Sequence, residues 1–399
     1  MQLCFYEDKK LTNFHPLTLS RPLDDLRIGI FTIAEKWSRA LKTDSFARTL
    51  RLNLNGVFDS GTIDIADSCL WINPRYLPNN ALLEELGNLN IGTCLQAGDD
   101  IIAAHADGQT SQQWMNEGNP DFSNLLVVQS QGFECLEHLW DLILLNGREI
   151  EQDYQHARQV RDGSISLDAS LLNEKQITIC EGAEVEAQTV LDARNGPIYI
   201  GPGATVMAGS VLRGPVAVCR NAIIKAGAQI NEETTVGPVC KVGGEVENTI
   251  FHSYSNKAHK GYVGHSVVGQ WCNFASGTTV SNLKTNYSDV RVPDWQSGQE
   301  YDSGEQFIGI MMGDHTKTAI NCVINSGTVT GICCNILSRD FPPKLIRSFS
   351  WVGSNVIQPY QLDKALMAME KMMARRDVAL TDAYRGMMSH ISQQRHQKS

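Results

Sequence analysis

The sequence predicts an α/β domain followed by a hexapeptide parallel β-helix and C-terminal helices. Three observations carry this fold class. Residues 1–155 alternate short apolar runs with segments of helical spacing. Between about 176 and 340 the texture turns to Gly, Val, Ile, Ala, Thr and Asn, and within it an aliphatic residue recurs every six positions from Ile200 to Val242. After 360, apolar side chains return at helical spacing. The domain boundaries that follow are 1–155, 156–340 and 341–399.

In the first domain QLCFY, IDIA and LLVVQ are short apolar runs of the kind that form buried strands, and IFTIAEKWSRAL and FECLEHLWDLILL have helical periodicity. Strands alternating with helices predict an α/β layer structure.

The second region is defined by its period. Counting in sixes from Ile200 gives Val206, Leu212, Val218, Ile224, Ile230, Val236 and Val242. The position four residues later in each hexad is compact: Ala204, Ser210, Val216, Ala222, Ala228, Thr234, Cys240 and Val246. The period returns at Val268, Phe274 and Val280, then at Met312, Thr318 and Ile324. Neither a helix nor a simple strand repeats every six residues. A triangular β-helix does: each hexad makes one flat side, with the aliphatic residue inside and the compact one near a corner. Stacked coils then bury what a single coil cannot.

Between 285 and 307, TNYSDVRVPDWQSGQEYDSGEQF breaks the register with Pro, Asp, Ser and Gly, the signature of a loop leaving the prism. FPPKLIRSFSWVG reads as an irregular crossing, and QLDKALMAMEKMMARRDVALTDAYRGMMSHI as one or two helices. Leu362, Leu366, Met369, Met372 and Met373 form a stripe expected to pack on the β-helix or on another subunit.

The chain has 399 residues and a formal net charge of −10. That balance disfavours nucleic acid or an anionic membrane as partner, but not a small anion in a local basic pocket. Eleven cysteines without a C-x-x-C pair fit free thiols in a reducing compartment. The opening MQLCFYEDKK reads as a strand rather than a signal peptide, and no apolar run approaches the roughly 18 residues of a membrane span. The expectation is a soluble cytoplasmic protein.

One stretch is too polar for its surroundings. NKAHKGYVGHSVVG, residues 256–269, sets two histidines and two lysines among glycines and aliphatic residues. Together with GPVCKVGGEVENTIF, NFASGTTVSNLKTN and FIGIMMGDHTKTAINCVINSGTVTG, it resembles the family of bifunctional N-acetylglucosamine-1-phosphate uridylyltransferases / glucosamine-1-phosphate N-acetyltransferases, with their archaeal and Bacteroidetes-type relatives. The resemblance implies a left-handed β-helix, a homotrimer with acetyltransferase sites between subunits, and acetyl-CoA as co-substrate. In relatives a "K-x-x-H-x-x-Y-x-G" segment holds the catalytic histidine; here the matching pair is His259 and Tyr262. The family's "G-A-G-T-x-x-x-N" appears as ASGTTVSN and places its asparagine at Asn282, a residue that fits an asparagine ladder inside the prism equally well. The resemblance makes His259 the base for a sugar amine, with Tyr262 and Asn282 as catalytic partners. Lys257, Lys260, Lys284 and Arg291 become candidate substrate contacts. His265 stands where relatives carry Asp, and Ala275 where they carry the first glycine. His252, His265 and His315 read as structural.

The N-terminal segment resembles a sugar-1-phosphate nucleotidyltransferase. It keeps "PLT-x-x-RP" with Arg21 and Pro22, but has no glycine loop, and Leu23 follows where relatives carry lysine. Asn73 and Pro74 stand at the family's "G-D" magnesium position. Arg21, Arg27 and Lys36 are the candidate nucleotide contacts, against a reading of each as a structural ion pair or solvated charge. Mg2+ with a nucleotide is the further cofactor the resemblance allows. Two other functions stay open: a β-helix scaffold that binds or regulates without catalysis, and a nucleotidyltransferase whose β-helix is purely structural.

Overall fold

The structure is a computed structural model and describes residues 1–157, 160–354 and 356–394. The first unit is a six-stranded mixed sheet in the order 46–48, 2–5, 69–72, 100–106, 93–97, 126–129. Gln2–Phe5 pairs in parallel with Phe46–Arg48 and Cys69–Ile72, while Asp100–Ala106 runs antiparallel to Cys69–Ile72. QLCFY is therefore a buried strand as expected. IDIA is not a strand, and the buried run at that point is Cys69–Ile72. LLVVQ does form a strand, Leu126–Gln129, but it lies exposed at the sheet edge.

Local hydrogen bonds set where the helices begin. IFTIAEKWSRAL turns helical only at Ile33, because Thr32 and Glu35 close a capping box: the Thr32 hydroxyl accepts from the Glu35 N–H, and the Glu35 carboxylate from the Thr32 N–H. FECLEHLWDLILL turns helical only at Asp141, whose carboxylate accepts the N–H groups of Glu137 and His138. The helix then runs Asp141–His156.

The second unit is a β-solenoid of about ten turns. Its parallel ladders link residues one coil apart: Ile200 pairs with Val218 and Val218 with Val236. All eight residues from Ile200 to Val242 in the six-residue register are fully buried, as are all eight compact partners. The repeat thus forms the prism interior that its spacing predicted. Parallel pairing continues to Trp351–Val352, so FSWVG adds a side to the stack.

One outer face of the solenoid is apolar too. Ile250, Val267, Met311 and Val329 stand in register on successive coils and join the hydrophobic core of the N-terminal unit. Helix Asp141–His156 packs on the same side. The excursion at 285–307 folds as a hairpin, Arg291–Pro293 against Glu300–Asp302. It packs on its own chain: Val290 and Val292 enter that shared core, and Tyr301 lies against Trp140 and His138. The segment does leave the prism, as its broken register predicted, and folds back on its own chain.

The C-terminal segment forms two helices, Leu362–Ala374 and Asp382–Gln394. Met369, Met373, Met387, Met388 and Ile391 pack on a solenoid corner made of Trp271, Ile332, Cys333 and Phe349. The predicted stripe therefore packs on the β-helix. All eleven cysteines are free thiols. Among the described residues no helix is long and apolar enough to cross a membrane.

Candidate active site

His259 sits in the turn between Asn256–Lys257 on one side of the prism and Tyr262–Gln270 on the next. The turn is tight. Gly261 has φ +126°, and a Cβ there would meet the Thr278 carbonyl oxygen of the next coil at 2.1 Å. His259 itself is exposed and lines a groove of about 390 Å³. Three basic residues line the same groove: Lys241 from the preceding coil, with Arg375 and Arg376 from the end of helix Leu362–Ala374. Arg376 donates to the Asn256 side chain at 3.0 Å, which holds it in place. Among the described residues no carboxylate forms an ion pair with Lys241, Arg375 or Arg376. Burial, followed by the charges of Arg376, Lys225 and Arg375, lowers the Lys241 pKa. An uncompensated cluster of this kind is suited to a phosphate-bearing ligand.

Lys257 is not a ligand contact. It pairs in register with Val242 and occupies an aliphatic position inside the prism. Its ammonium donates to the carbonyls of Gly243 at 2.8 Å and His259 at 2.9 Å, tying down the turn that carries the histidine. Burial pulls its pKa from 10.5 to about 8. Between those two values the unfolded chain holds the proton and the folded chain does not, so folding is favoured as pH rises through that window. Wild-type stability should therefore climb from pH 8 to 10.5 relative to Lys257→Met, by on the order of 3 kcal/mol. Denaturant midpoints across this range check it, and parallel curves would refute it.

Tyr262 and Asn282 meet each other, but no bond links either to the His259 side chain. The Tyr262 hydroxyl donates to Glu247 Oε2 at 3.1 Å and accepts from Asn282 Nδ2 at 2.8 Å. Asn282 Nδ2 also donates to His265 Nδ1 at 2.8 Å. Asn282 thus belongs to an outward-facing side-chain chain and not to an interior ladder. Lys260 is exposed in the His259 turn. Lys284 donates to the Asp289 carbonyl and Arg291 to the Glu300 carbonyl, so both brace the 285–307 excursion.

The candidate nucleotide contacts of the N-terminal unit are enclosed by protein, the ion-pair reading of the two. Arg21, 1% exposed, pairs with Asp314 at 2.5 Å and Asp25 at 2.9 Å. Arg27 donates to the carbonyls of His252 and Ile30. Lys36 pairs with Glu149 and Asp153, each at 2.7 Å. The carboxyl ends of Gln2–Phe5 and Cys69–Ile72, where an open α/β sheet takes its ligand, are filled likewise. Fully buried Arg75 bonds both Asp8 and Asp100, Asp8 also accepts from Asn73, and Lys10 bonds Asp100. These carboxylates are already neutralised by cationic side chains, so this donor set does not fit Mg2+.

Several of these residues escape sequence reasoning. Glu247 could have been found by coil counting, since it stands beside Gly264 in the ladder, whereas His265 is visible in the sequence but reads there as structural. Arg375 and Arg376 carry no such signal, because only the docking of their helix brings them to His259.

The fold and these sites define a chain with a nucleotidyltransferase-type sheet joined to a hexapeptide β-helix. Residues 3–162 match the family model described as sugar nucleotidyl transferase. The chain is similar to the bifunctional protein GlmU of Cyanothece sp., 22% identical over 57% of this chain and 49% of that protein. It is also similar to the bifunctional sugar-1-phosphate nucleotidylyltransferase/acetyltransferase of Sulfurisphaera tokodaii, 33% identical over 23% of this chain and 22% of that protein. The resemblance seen in the sequence is thus borne out. The chain spans about half the length of the first relative and about a fifth of the second. Among solved structures, the UDP-N-acetylglucosamine O-acyltransferase of Moraxella catarrhalis overlaps 57% of this chain and 96% of its own, at 11% identity and a TM-score of 0.21.

Proposed function

We propose that the chain transfers an acetyl group from acetyl-CoA to the amine of an amino-sugar 1-phosphate, with His259 as base. The observation that carries this is the placement of exposed His259 in a groove walled by Lys241, Arg375 and Arg376. Coenzyme A brings three phosphates and needs such a wall. The amine nitrogen attacks the thioester carbonyl, the new C–N bond forms, and the C–S bond breaks. His259 takes the proton released by the nitrogen and returns it to the departing thiolate. Backbone N–H groups at the corner would receive the oxyanion. The relatives named as bifunctional nucleotidylyltransferase/acetyltransferases support this reading.

Tyr262 and Asn282 stand on the adjoining face and make no bond to the His259 side chain. The reading therefore extends to a homotrimer in which a neighbouring chain closes the site, as prism faces allow around a three-fold axis. Thiol release from acetyl-CoA with glucosamine 1-phosphate, run beside light scattering, tests both parts. No turnover would sink the reaction, and a monomer at micromolar concentration would sink the shared site. The reading extends to a cytoplasmic location, which the sugar and nucleotide substrates it invokes support.

The match of residues 3–162 supports sugar-1-phosphate nucleotidyl transfer as a second activity. The Arg75 cluster weighs against a metal-dependent form of it. Pyrophosphorolysis of UDP-N-acetylglucosamine with Mg2+ is expected to be weak or absent. Robust turnover would show that other residues hold the metal.

A further inference from the structure

The side chains Glu247, Tyr262, Asn282 and His265 form one hydrogen-bonded chain, and its direction is set at one end. A glutamate carboxylate only accepts. Tyr262 must therefore spend its single proton on Glu247, at 3.1 Å. The tyrosine oxygen is left to accept, so the Asn282 group facing it at 2.8 Å is the amide nitrogen. The same nitrogen faces His265 Nδ1 at 2.8 Å, and Nδ1 must then be an acceptor without a proton. The neutral ring carries its proton on Nε2.

The surroundings hold this arrangement. Ile308 N–H donates to the Asn282 carbonyl at 3.0 Å, and Gly309 N–H to the His265 carbonyl at 2.7 Å. The chain returning from the 285–307 excursion thereby pins both backbones. Phe307 lies against the His265 ring, with centroids 5.1 Å apart and planes 27° apart. His265 stays at φ +48°, a conformation uncommon outside glycine. Burial also lowers the His265 pKa, against an opposing pull from Glu247, which favours the neutral ring. Asn282 Oδ1 and His265 Nε2 form no hydrogen bond with the described residues.

We propose that Glu247 is a specificity-determining residue of the acceptor site: it orients Asn282 Oδ1 as a free acceptor and His265 Nε2–H as a free donor, and this pair reads a sugar amine or hydroxyl. Such a group both donates and accepts and satisfies both partners. A phosphate dianion only accepts, cannot satisfy Asn282 Oδ1, and would face the Glu247 carboxylate. The phosphate of the acceptor therefore seats elsewhere. This assignment rests on the acetyl-transfer reading for its substrate, but the tautomer does not depend on turnover.

The test uses the full chain labelled with 15N. In the wild type the His265 ring should show an unprotonated Nδ1 and a protonated Nε2. In Glu247→Gln the amide can donate to Tyr262 as well as accept, so the His265 signals should move toward a mixture of tautomers. The KM for the amino sugar should rise roughly three- to tenfold, the worth of one ordinary hydrogen bond, while the KM for acetyl-CoA stays unchanged. Glu247→Asp, which keeps an acceptor-only carboxylate, should retain the wild-type tautomer. A protonated Nδ1 in the wild type, or an unshifted tautomer in Glu247→Gln, overturns the chain of bonds. An unchanged sugar KM in an active Glu247→Gln overturns its part in recognition. Failure of acetyl transfer in the wild type would refute the reaction alone, because the tautomer would still be read.

Discussion

His259→Ala should lower acetyl transfer to glucosamine 1-phosphate by roughly 10²- to 10⁴-fold, the usual contribution of a positioned base. Thermal stability should hardly change. His259 is exposed in a corner turn, and the bonds that hold the turn run from Lys257 to backbone carbonyls, not to the imidazole. A loss in kcat with an unaltered melting curve is the expected signature. Equal rates would return His259 to the role of a surface histidine, and a loss that follows unfolding would do the same. Arg375→Ala with Arg376→Ala should act differently, raising the KM for acetyl-CoA and sparing kcat. Those residues line the groove wall assigned to the phosphates of coenzyme A.

Arg21→Ala should cost about 3–5 kcal/mol of stability, because removing one partner of a buried ion pair strands the other. The stranded group is Asp314, 1% exposed, which also accepts from Ser20 at 2.6 Å and from the Gln270 N–H at 2.7 Å. Arg21 belongs to the N-terminal unit and Asp314 to the solenoid, so the variant should loosen the joint between them. Denaturant melts followed separately in each unit should lose their coincidence. Arg21→Ala combined with Asp314→Ala should recover part of the loss, giving a coupling energy in a double-mutant cycle. The opposite result, unchanged stability with a raised KM for a nucleotide, would reinstate Arg21 as a ligand contact.

The fate of Arg21 shows where sequence reasoning lost its grip. The "PLT-x-x-RP" element is legible in the sequence and resembles a nucleotide-binding segment. What the arginine bonds is not legible, because Asp314 lies 293 residues away. Lys36 repeats the lesson with Asp153, 117 residues distant. Lys257 gives the converse case. Its place inside the prism follows from the coil register opposite Val242. Yet a lysine in a polar stretch looks like a substrate contact until its two carbonyl partners are seen. The Leu126–Gln129 strand was misjudged for a related reason: apolarity marks a strand, but its position at the sheet edge is decided by which strands pair beside it.

By itself the sequence determined the prism, its register and its interior, because a six-residue repeat is local and every coil restates it. It also determined the stripe on the C-terminal helices, through spacing within a few residues. Only the tertiary structure decided which charges meet one another and which stay free. Arg21, Lys36 and Arg75 end inside protein networks, whereas Lys241, Arg375 and Arg376 are left without carboxylate partners among the described residues, around one groove. A charge is spent or available according to what packs against it, and those partners come from coils, helices and sheet ends far apart in the chain.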